Sequence, residues 1–363
     1  MNNDIIARRA VTVADVARAA QVSKATAARA LGGYGSVSAA VTQRVLETAR
    51  RLDYRPNELA RTMATGRSGT IGVIIGDIEN PFFGLAVRGI SDLAAEAGFD
   101  VILSNSSETL AAEQSATRVF LTKRVDGLIV APATMHDGAH LKDALAQGCP
   151  LVLLDRDVPG LPVDVAFIDD QAAAREATDL LLASGHRRLA YITATSASDT
   201  RYYGSEQIAL TTVQNRIAGF LEAATAAGLT ESERQIRLGA STTTRSQAIL
   251  LELLRQPDRP TAVLSSDSKI ALEVFRAARA LGLRVPQDLS LITFDDADWT
   301  SAVSPTVTVV SQPSYQLGHT AARMLIDRIS GDTVAPRRCV LETALINRES
   351  VSVWPALHVK NRL

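Results

Sequence analysis

The chain has 363 residues, 46% of them hydrophobic and 21% charged, with a net charge of −1, the profile of globular protein with room for two or three domains. No apolar run approaches the ~20 residues that a membrane span needs, and the opening MNNDIIARRAVTVADVARAA has neither an apolar h-region nor a small-residue cleavage site. Cys149 and Cys339 lie far apart without metal-type spacing, so both read as reduced packing residues of a cytoplasmic protein.

Charge is unevenly placed. Residues 1–65 carry ten Lys or Arg against five Asp or Glu, a net +5, which leaves −6 for the remainder. A small basic head on an acidic body points to a polyanion as partner of the head alone. Within that head, Thr12 is placed to cap a first helix, with Asp15 where an acid favours a helix N-terminus. Val16, Ala17 and Ala20 then share one face, and the pattern stops near Gln21-Val22. Ser23 is placed to cap a second helix running to Leu31, before Gly32-Gly33. Two short helices joined by a three- or four-residue turn match helix-turn-helix geometry. Ala17 leaves room for a close crossing, Val22 plugs the turn, and Lys24, Ala25, Thr26 and Arg29 point outward, where a recognition helix meets base edges and phosphates.

Ser38 opens a third helix, with Val41, Val45, Leu46, Ala49 and Leu52 at helical spacing, ending at Asp53-Tyr54-Arg55-Pro56. A short candidate helix follows over 57–64 and is closed by Gly66. Two turns are too few to be stable alone in water, so this helix is expected to order only when something holds it.

From Thr70 onward strand and helix alternate. Apolar runs of buried parallel strands occur at 71–75, 101–105, 127–131, 151–155, 190–193, 262–266 and 291–295, and helix-length segments ending in Gly, such as 89–98 and 217–228, lie between them. This is the βαβ rhythm of a doubly wound sheet. It runs about twice, over 71–156 and 166–295, and so predicts two similar α/β subdomains. A strand at 306–312, a helix at 314–330 and a strand at 339–346 complete the pattern. Ligands of open α/β sheets sit beyond the carboxyl ends of the strands, which singles out 77–83, 104–105, 155–156, 265–267 and 295–299. A polyhydroxyl ligand wants bidentate charged groups with an apolar face against its C–H surface. Asp77, Asn80, Arg156, Arg216, Asp267 and Asp295 supply the first, and Phe82, Phe83 and Trp299 the second. Asp267 reads equally as the N-cap of a helix over 268–281, and Phe83 and Trp299 equally as packing residues. The stretch 194–215 reads either as a lid or as a surface loop.

VADVARAAQVSKATAARAL, followed by VSAAVTQRVLETARRLDYRPNELARTMATGRSGTIGVII, resembles the lac repressor family of bacterial transcription regulators, and the resemblance extends over essentially the whole chain. It implies an all-α helix-turn-helix head (10–56), a hinge helix and linker (57–69), and a periplasmic-binding-protein-like body for effector binding and dimerisation (70–354). The body is expected as two discontinuous subdomains, about 70–165 with 299–332 and 166–298 with 333–354. Thr12, Ser23, Lys24, Ala25, Thr26 and Arg29 would face the operator. Asn57 and Ala60 would lie along a hinge helix paired between two subunits, with Met63 as the wedge in the minor groove. Arg216 in NRIAGF and Asp295 in ITFDD match the family's effector-contacting Arg and Asp, and Asp267 follows its strand as the family's Asp does. Three departures stand out: Met63 replaces the usual Leu, Ala27-Ala28 the usual Val-Ser, and Gly32 a common Asn.

The resemblance thus implies a repressor of carbohydrate-metabolism genes, controlled by a small sugar or sugar acid. It implies a homodimer on a palindromic double-stranded operator, the final VSVWPALHVKNRL having no heptads that would favour a tetramer. One rival is a sugar-binding protein that delivers ligand to a transporter, which would need an export signal and would leave the basic head unexplained; the other is an α/β enzyme. The phosphate-loop, nucleophile-elbow and dinucleotide motifs of such an enzyme are absent, and His136, His140, His186, His319 and His358 are scattered without ligand spacing. No catalytic residue, metal or cofactor is expected. His186, at a helix–strand junction, reads as a structural hydrogen-bonding residue.

Overall fold

The computed structural model describes residues 11–32, 35–54, 67–195, 199–229 and 235–354. The chain divides into a unit over Met1–Ser68 and a unit over Gly69–Leu363.

In the first unit, α1 spans Val13–Ala19, α2 Lys24–Gly32 and α3 Ala39–Arg51. The Thr12 hydroxyl accepts from Asp15 N while Asp15 Oδ2 accepts from Thr12 N at 3.0 Å, so two otherwise orphaned donors at the start of α1 are satisfied reciprocally. Ser23 Oγ accepts from Thr26 N at 3.0 Å and opens α2 in the same way. Ser38 precedes α3 as expected but makes no capping hydrogen bond through its side chain. The core is Val16, Ala17, Ala20, Ala27, Ala30, Val45 and Ala49, with Val22 and Val41 packed against it. Alanines at the helix crossings let the three backbones approach closely, at the cost of burying little apolar surface per residue.

The second unit holds two six-stranded sheets, each covered by helices on both faces. In chain order its elements are β1 (Thr70–Ile75), α4 (Pro81–Glu96), β2 (Asp100–Asn105), α5 (Leu110–Thr122), β3 (Gly127–Val130), α6 (Ala139–Ala146), β4 (Leu151–Leu154) and β5 (Asp164–Ile168). Then come α7 (Asp170–Ala183), β6 (Leu189–Ile192), α8 (Thr211–Ala226), β7 (Ile236–Arg237), α9 (Thr243–Leu254), β8 (Ala262–Ser265), α10 (Ser268–Ala280) and β9 (Ser290–Phe294). The last are α11 (Asp298–Ala302), β10 (Thr308–Ser311), α12 (Ser314–Ile329), β11 (Arg338–Leu341) and β12 (Ala344–Ile346).

The sheet orders are β11-β5-β4-β3-β1-β2 and β12-β10-β9-β8-β6-β7. Every pairing is parallel except β10 with β12. The two doubly wound parallel-sheet subdomains read from the sequence are therefore present, and their strand orders correspond one to one.

Three details differ from the sequence reading. The apolar run 339–346 is two strands: β11 closes the first sheet against β5 and β12 closes the second against β10. The segment 299–311, expected in the first subdomain, belongs to the second through α11 and β10. The strand β5, absent from the expected set, carries the first sheet to Ile168 rather than ending near 165. Side-chain pairing explains the placement of the return strands. Asp164 at the start of β5 accepts from Arg328 Nη2 at 2.7 Å and from Arg337 N at 2.7 Å, which pins the approach to β11. Arg348, just beyond β12, donates to both oxygens of Asp296, just beyond β9 of the second sheet, at 2.7 and 2.8 Å.

The helices at each crossover pack through glycines. A Cβ on Gly89 of α4 would lie 2.1 Å from the Tyr315 carbonyl oxygen of α12, and one on Gly219 of α8 would lie 2.1 Å from that of Gln171 in α7. Gly89, read from sequence as the start of a helical segment, thus sits inside α4 as a contact point. The largest buried side chains, Tyr191, Phe83, Phe220 and Phe294, belong to the core that runs along the α4–α12 and α7–α8 faces. His186 is fully buried, with ring nitrogens 2.9 Å from Thr261 Oγ1 and 3.0 Å from Ser290 Oγ. Burial lowers its pKa to about 4, so it serves as a neutral bridge between strand ends. Cys149 is buried and Cys339 half-buried, both as free thiols.

Candidate functional site

Two surfaces carry the chemistry. On the head, α2 leaves Ser23, Lys24, Ala25 and Arg29 exposed and Thr26 half-buried, while Ala27 and Ala30 face the core. Thr12 is exposed at the start of α1. A helix whose outward face carries Lys, Arg and hydroxyls, set by a turn against a second helix, is shaped for the major groove. Asn57, Ala60 and Met63, with the whole expected hinge helix, lie outside the described residues.

On the body, the carboxyl ends of both sheets face one cavity of ≈ 150 Å³. Nearly every strand contributes. Asn80 follows β1, Glu108 follows β2, Ala133 follows β3, and Asp155-Arg156 follow β4. From the second sheet come Thr193 and Thr195 after β6, Ser266-Asp267 after β8, Asp295 after β9 and Gln312 after β10; Arg216 reaches in from α8. Asp155 and Asp295 occupy corresponding strand ends and share left-handed backbone, with φ of 68° and 72°. A non-glycine residue held there turns its side chain abruptly out of the strand direction.

Arg216 donates to Asp170 Oδ1 at 2.6 Å, to the Ser266 carbonyl at 2.8 Å and to Gln312 Oε1 at 3.4 Å, and its guanidinium lies 3.9 Å from the centre of the Phe294 ring. Arg156 donates to both oxygens of Glu108, at 2.5 and 2.8 Å, and to the Pro132 carbonyl at 3.1 Å, with Phe83 beneath it. Asp267 accepts from Ile270 N at 2.9 Å and from Ser266 Oγ at 3.0 Å, so it caps α10 and lines the cavity at once. Asp295 accepts from Gln312 Nε2 at 2.7 Å. The Asn80 side-chain oxygen caps α4 through Phe82 N at 3.0 Å, and Phe82 and Phe83 form one apolar wall, edge to face at 5.1 Å.

Burial governs the protonation chemistry. It pushes Asp170 and Asp295 up to about 7 against the pull of Arg216, and raises Asp155 and Asp267 as well. Burial works against the charged guanidinium of Arg216 too, yet Asp170 and the other carboxylates around it hold its pKa above the ordinary value. The result is a cavity lined by carboxyl and amide groups with one aromatic wall, suited to many hydroxyl groups on a small ring.

Seven of the nine residues expected to meet a ligand line this cavity: Asn80, Phe82, Phe83, Arg156, Arg216, Asp267 and Asp295. Asp77 does not; its carboxylate pairs with Lys269 across the cleft at 2.9 Å. Trp299 does not either; it packs edge-on to Phe275 at 6.1 Å, against the core behind the second sheet. Glu108, Gln312 and Asp170 went unnoticed, and Asp155 was located at its strand end but not assigned to the ligand. The strand-end rule, applied to 306–312, reaches Gln312, and Asp155 stands beside the Arg156 that was chosen; nothing local marks Glu108. In the 194–215 stretch, 196–198 lie outside the described residues and both flanks reach the cavity, Ala194 and Thr195 on one side. Ala209 and Leu210 line it, and the Ala209 carbonyl accepts from Met135 N of the opposite sheet's lobe at 2.7 Å. Among the described residues, no helix is long and apolar enough to cross a membrane.

Comparison with known proteins matches both units of the chain. Residues 12–57 match the family model "Bacterial regulatory proteins, lacI family", and residues 178–351 match "Periplasmic binding protein-like domain". Catabolite control protein A of Priestia megaterium is 33% identical over 324 residues, covering 89% of this chain and 94% of that protein. The lac repressor dimer bound to operator and the anti-inducer ONPF superposes with a TM-score of 0.79 at 25% identity, covering 95% of this chain and all of that one. The complex of the transcriptional regulator CelR with cellobiose gives 0.68 at 29% identity, covering 94% and 99%. The chain belongs to the lacI family of bacterial regulatory proteins, DNA-binding transcription regulators with a helix-turn-helix head and a periplasmic-binding-protein-like body.

Proposed function

We propose that this protein represses carbohydrate-metabolism genes in the cytoplasm and that it is not an enzyme. In this reading it binds a palindromic operator as a homodimer, under control of a small sugar or sugar acid held in the interlobe cavity. The observation that carries the proposal is the cavity itself: buried carboxylates and two guanidinium groups around a wall of Phe82 and Phe83. Asn80, Asp155, Arg156, Arg216, Asp267, Asp295 and Gln312 are assigned to the ligand. Thr12, Ser23, Lys24, Ala25, Thr26 and Arg29 are assigned to the operator, with Asn57, Ala60 and Met63 of the hinge segment. The names of the neighbours support the same division of labour, one bound to an operator and one to cellobiose. Contacts such as Met135 with Ala209 and Asp157 N with Thr211 Oγ1 at 3.0 Å join the lobes around the cavity. A ligand that alters this closure is thermodynamically linked to the operator.

The test is direct. Operator duplexes are selected from a random library with the full-length protein, and binding is then measured by anisotropy with neutral sugars and sugar acids added. A two-fold symmetric site is expected, with at least one sugar changing operator affinity by roughly 5–150-fold and raising Tm. An asymmetric site would overturn the dimer, and indifference to every sugar of both classes would overturn the effector assignment.

A further inference from the structure

Glu108 is the charged residue that the β2 end contributes to the cavity, and it lies in neither a strand nor a helix. It follows β2 in a tight turn in which Ser107 and Glu108 both take left-handed backbone, φ 50° and 58°, a conformation that side-chain-bearing residues seldom adopt in succession. The turn is fastened to the end of β1: Ser106 N and Oγ donate to the Ile75 carbonyl at 2.8 and 3.0 Å, and Glu108 N donates to the Gly76 carbonyl at 3.2 Å. The Glu108 carboxylate then passes over Gly76, where an added Cβ would lie 2.1 Å from Oε1. Backbone and glycine together deliver this carboxylate to the guanidinium of Arg156, which it meets with both oxygens.

The pairing changes what the cavity accepts. Arg156 is 7% exposed and also faces Asp155, whose Oδ2 is 3.4 Å from its Nε. Arg216, the second guanidinium, is matched by Asp170. The described lining residues set against these two cations the Glu108 carboxylate together with Asp155, Asp267 and Asp295, whose ionised forms burial already disfavours. An incoming carboxylate therefore finds both guanidinium groups already facing acidic side chains, and brings its own charge to a site where burial already disfavours carboxylate charge. Hydroxyl groups meet the opposite situation, since they donate to ionised carboxylates and accept from protonated carboxyl groups.

We propose that Glu108 is a specificity-determining residue: its carboxylate occupies the anion-binding face of Arg156, so the cavity takes an uncharged polyhydroxyl ring and rejects the corresponding sugar acid. The cavity volume is ≈ 150 Å³. The role of Glu108 narrows the effector class and rests on the reading of the cavity as the effector site.

The experiment uses the full-length protein, Glu108→Gln, Glu108→Ala and the double variant Glu108→Ala/Arg156→Met, followed by thermal shift. The probes are D-glucose and D-galactose, the matching uronates, and sodium formate with sodium chloride as the ionic-strength control. Wild type is expected to gain nothing from either uronate or from formate beyond chloride. Glu108→Ala is expected to melt lower and to recover saturably with formate, which replaces the missing carboxylate, and the double variant to lose that recovery. Glu108→Gln, nearly isosteric, is expected to bind a uronate about tenfold or more tighter than wild type does. A uronate that stabilises wild type as well as its neutral parent overturns the proposal, as does a Glu108→Ala protein indifferent to formate. Indifference of wild type to all sugars would count against the effector reading, while the formate arm still decides whether Glu108 fills an anion site on Arg156.

Discussion

The two lobes of the body share one strand order and place an aspartate in left-handed backbone at the same strand end, Asp155 in one and Asp295 in the other. They differ in where the cation comes from. In the first lobe it is the next residue, Arg156, neutralised by a turn carboxylate of the same lobe. In the second it is Arg216, brought by α8 and matched by Asp170, the first residue after the crossover from the first sheet. A common framework thus fixes the acceptor, while helices and turns around it decide the charge balance. The Arg216 arrangement is the more enclosed: Asp170 is 2% exposed, whereas the Glu108 side chain keeps about a third of its surface in water.

That contrast sets the largest expected effect. Arg216→Met strands Asp170 without its partner, and loss of one member of a buried pair costs about 3–5 kcal/mol. Arg156→Met leaves a Glu108 that can turn to water, so roughly half that loss is expected. Urea unfolding of the two variants measures both, and equal losses would mean that the lobes do not differ in this respect.

Protonation gives the next effect. The Asp295 pKa is raised to about 7 in the folded protein by burial, against about 3.9 for an unfolded chain. The folded state then binds more protons between these values, so the Asp295 contribution to stability is greatest below about pH 4 and falls as pH rises towards 7. Asp170 adds a fall in the same window. His186 acts the other way: its folded pKa is depressed to about 4, so its contribution holds above about 6.5 and is lost as pH falls below that. Asp295→Asn is expected to flatten the decline between pH 4 and 7 by on the order of 2 kcal/mol, read from Tm against pH in one buffer series. An unchanged profile would show that Asp295 is ionised in the fold at ordinary pH.

The smallest effect belongs to the link across the cleft. Lys269 meets Asp77 at 2.9 Å and Glu79 at 3.3 Å, all partly solvated. Lys269→Ala is expected to change stability by less than about 1 kcal/mol, because exposed ion pairs contribute little. A loss several times larger would show that this ion pair, rather than the cavity, holds the lobes together.

The sequence by itself determined the local elements. Thr12 with Asp15, Ser23 before Lys24, and alanines at helical spacing define the head, because caps and periodicity act over three or four residues. Buried parallel strands announce themselves as apolar runs, and their carboxyl ends located most of the cavity. Sheet membership was decided only by the tertiary structure. The run 339–346 is apolar enough throughout to serve either sheet, and the choice depends on Asp164 and Asp296, far away along the chain. The strand-end rule gives a position but not a direction, which is why Asp77 turned to Lys269 and Trp299 to Phe275. Glu108 was the least legible of all: it meets Arg156 from 48 residues away, through a strained turn and a glycine. Whether a buried arginine is available to a ligand depends on what else has been folded against it, and that is a property of the assembled fold.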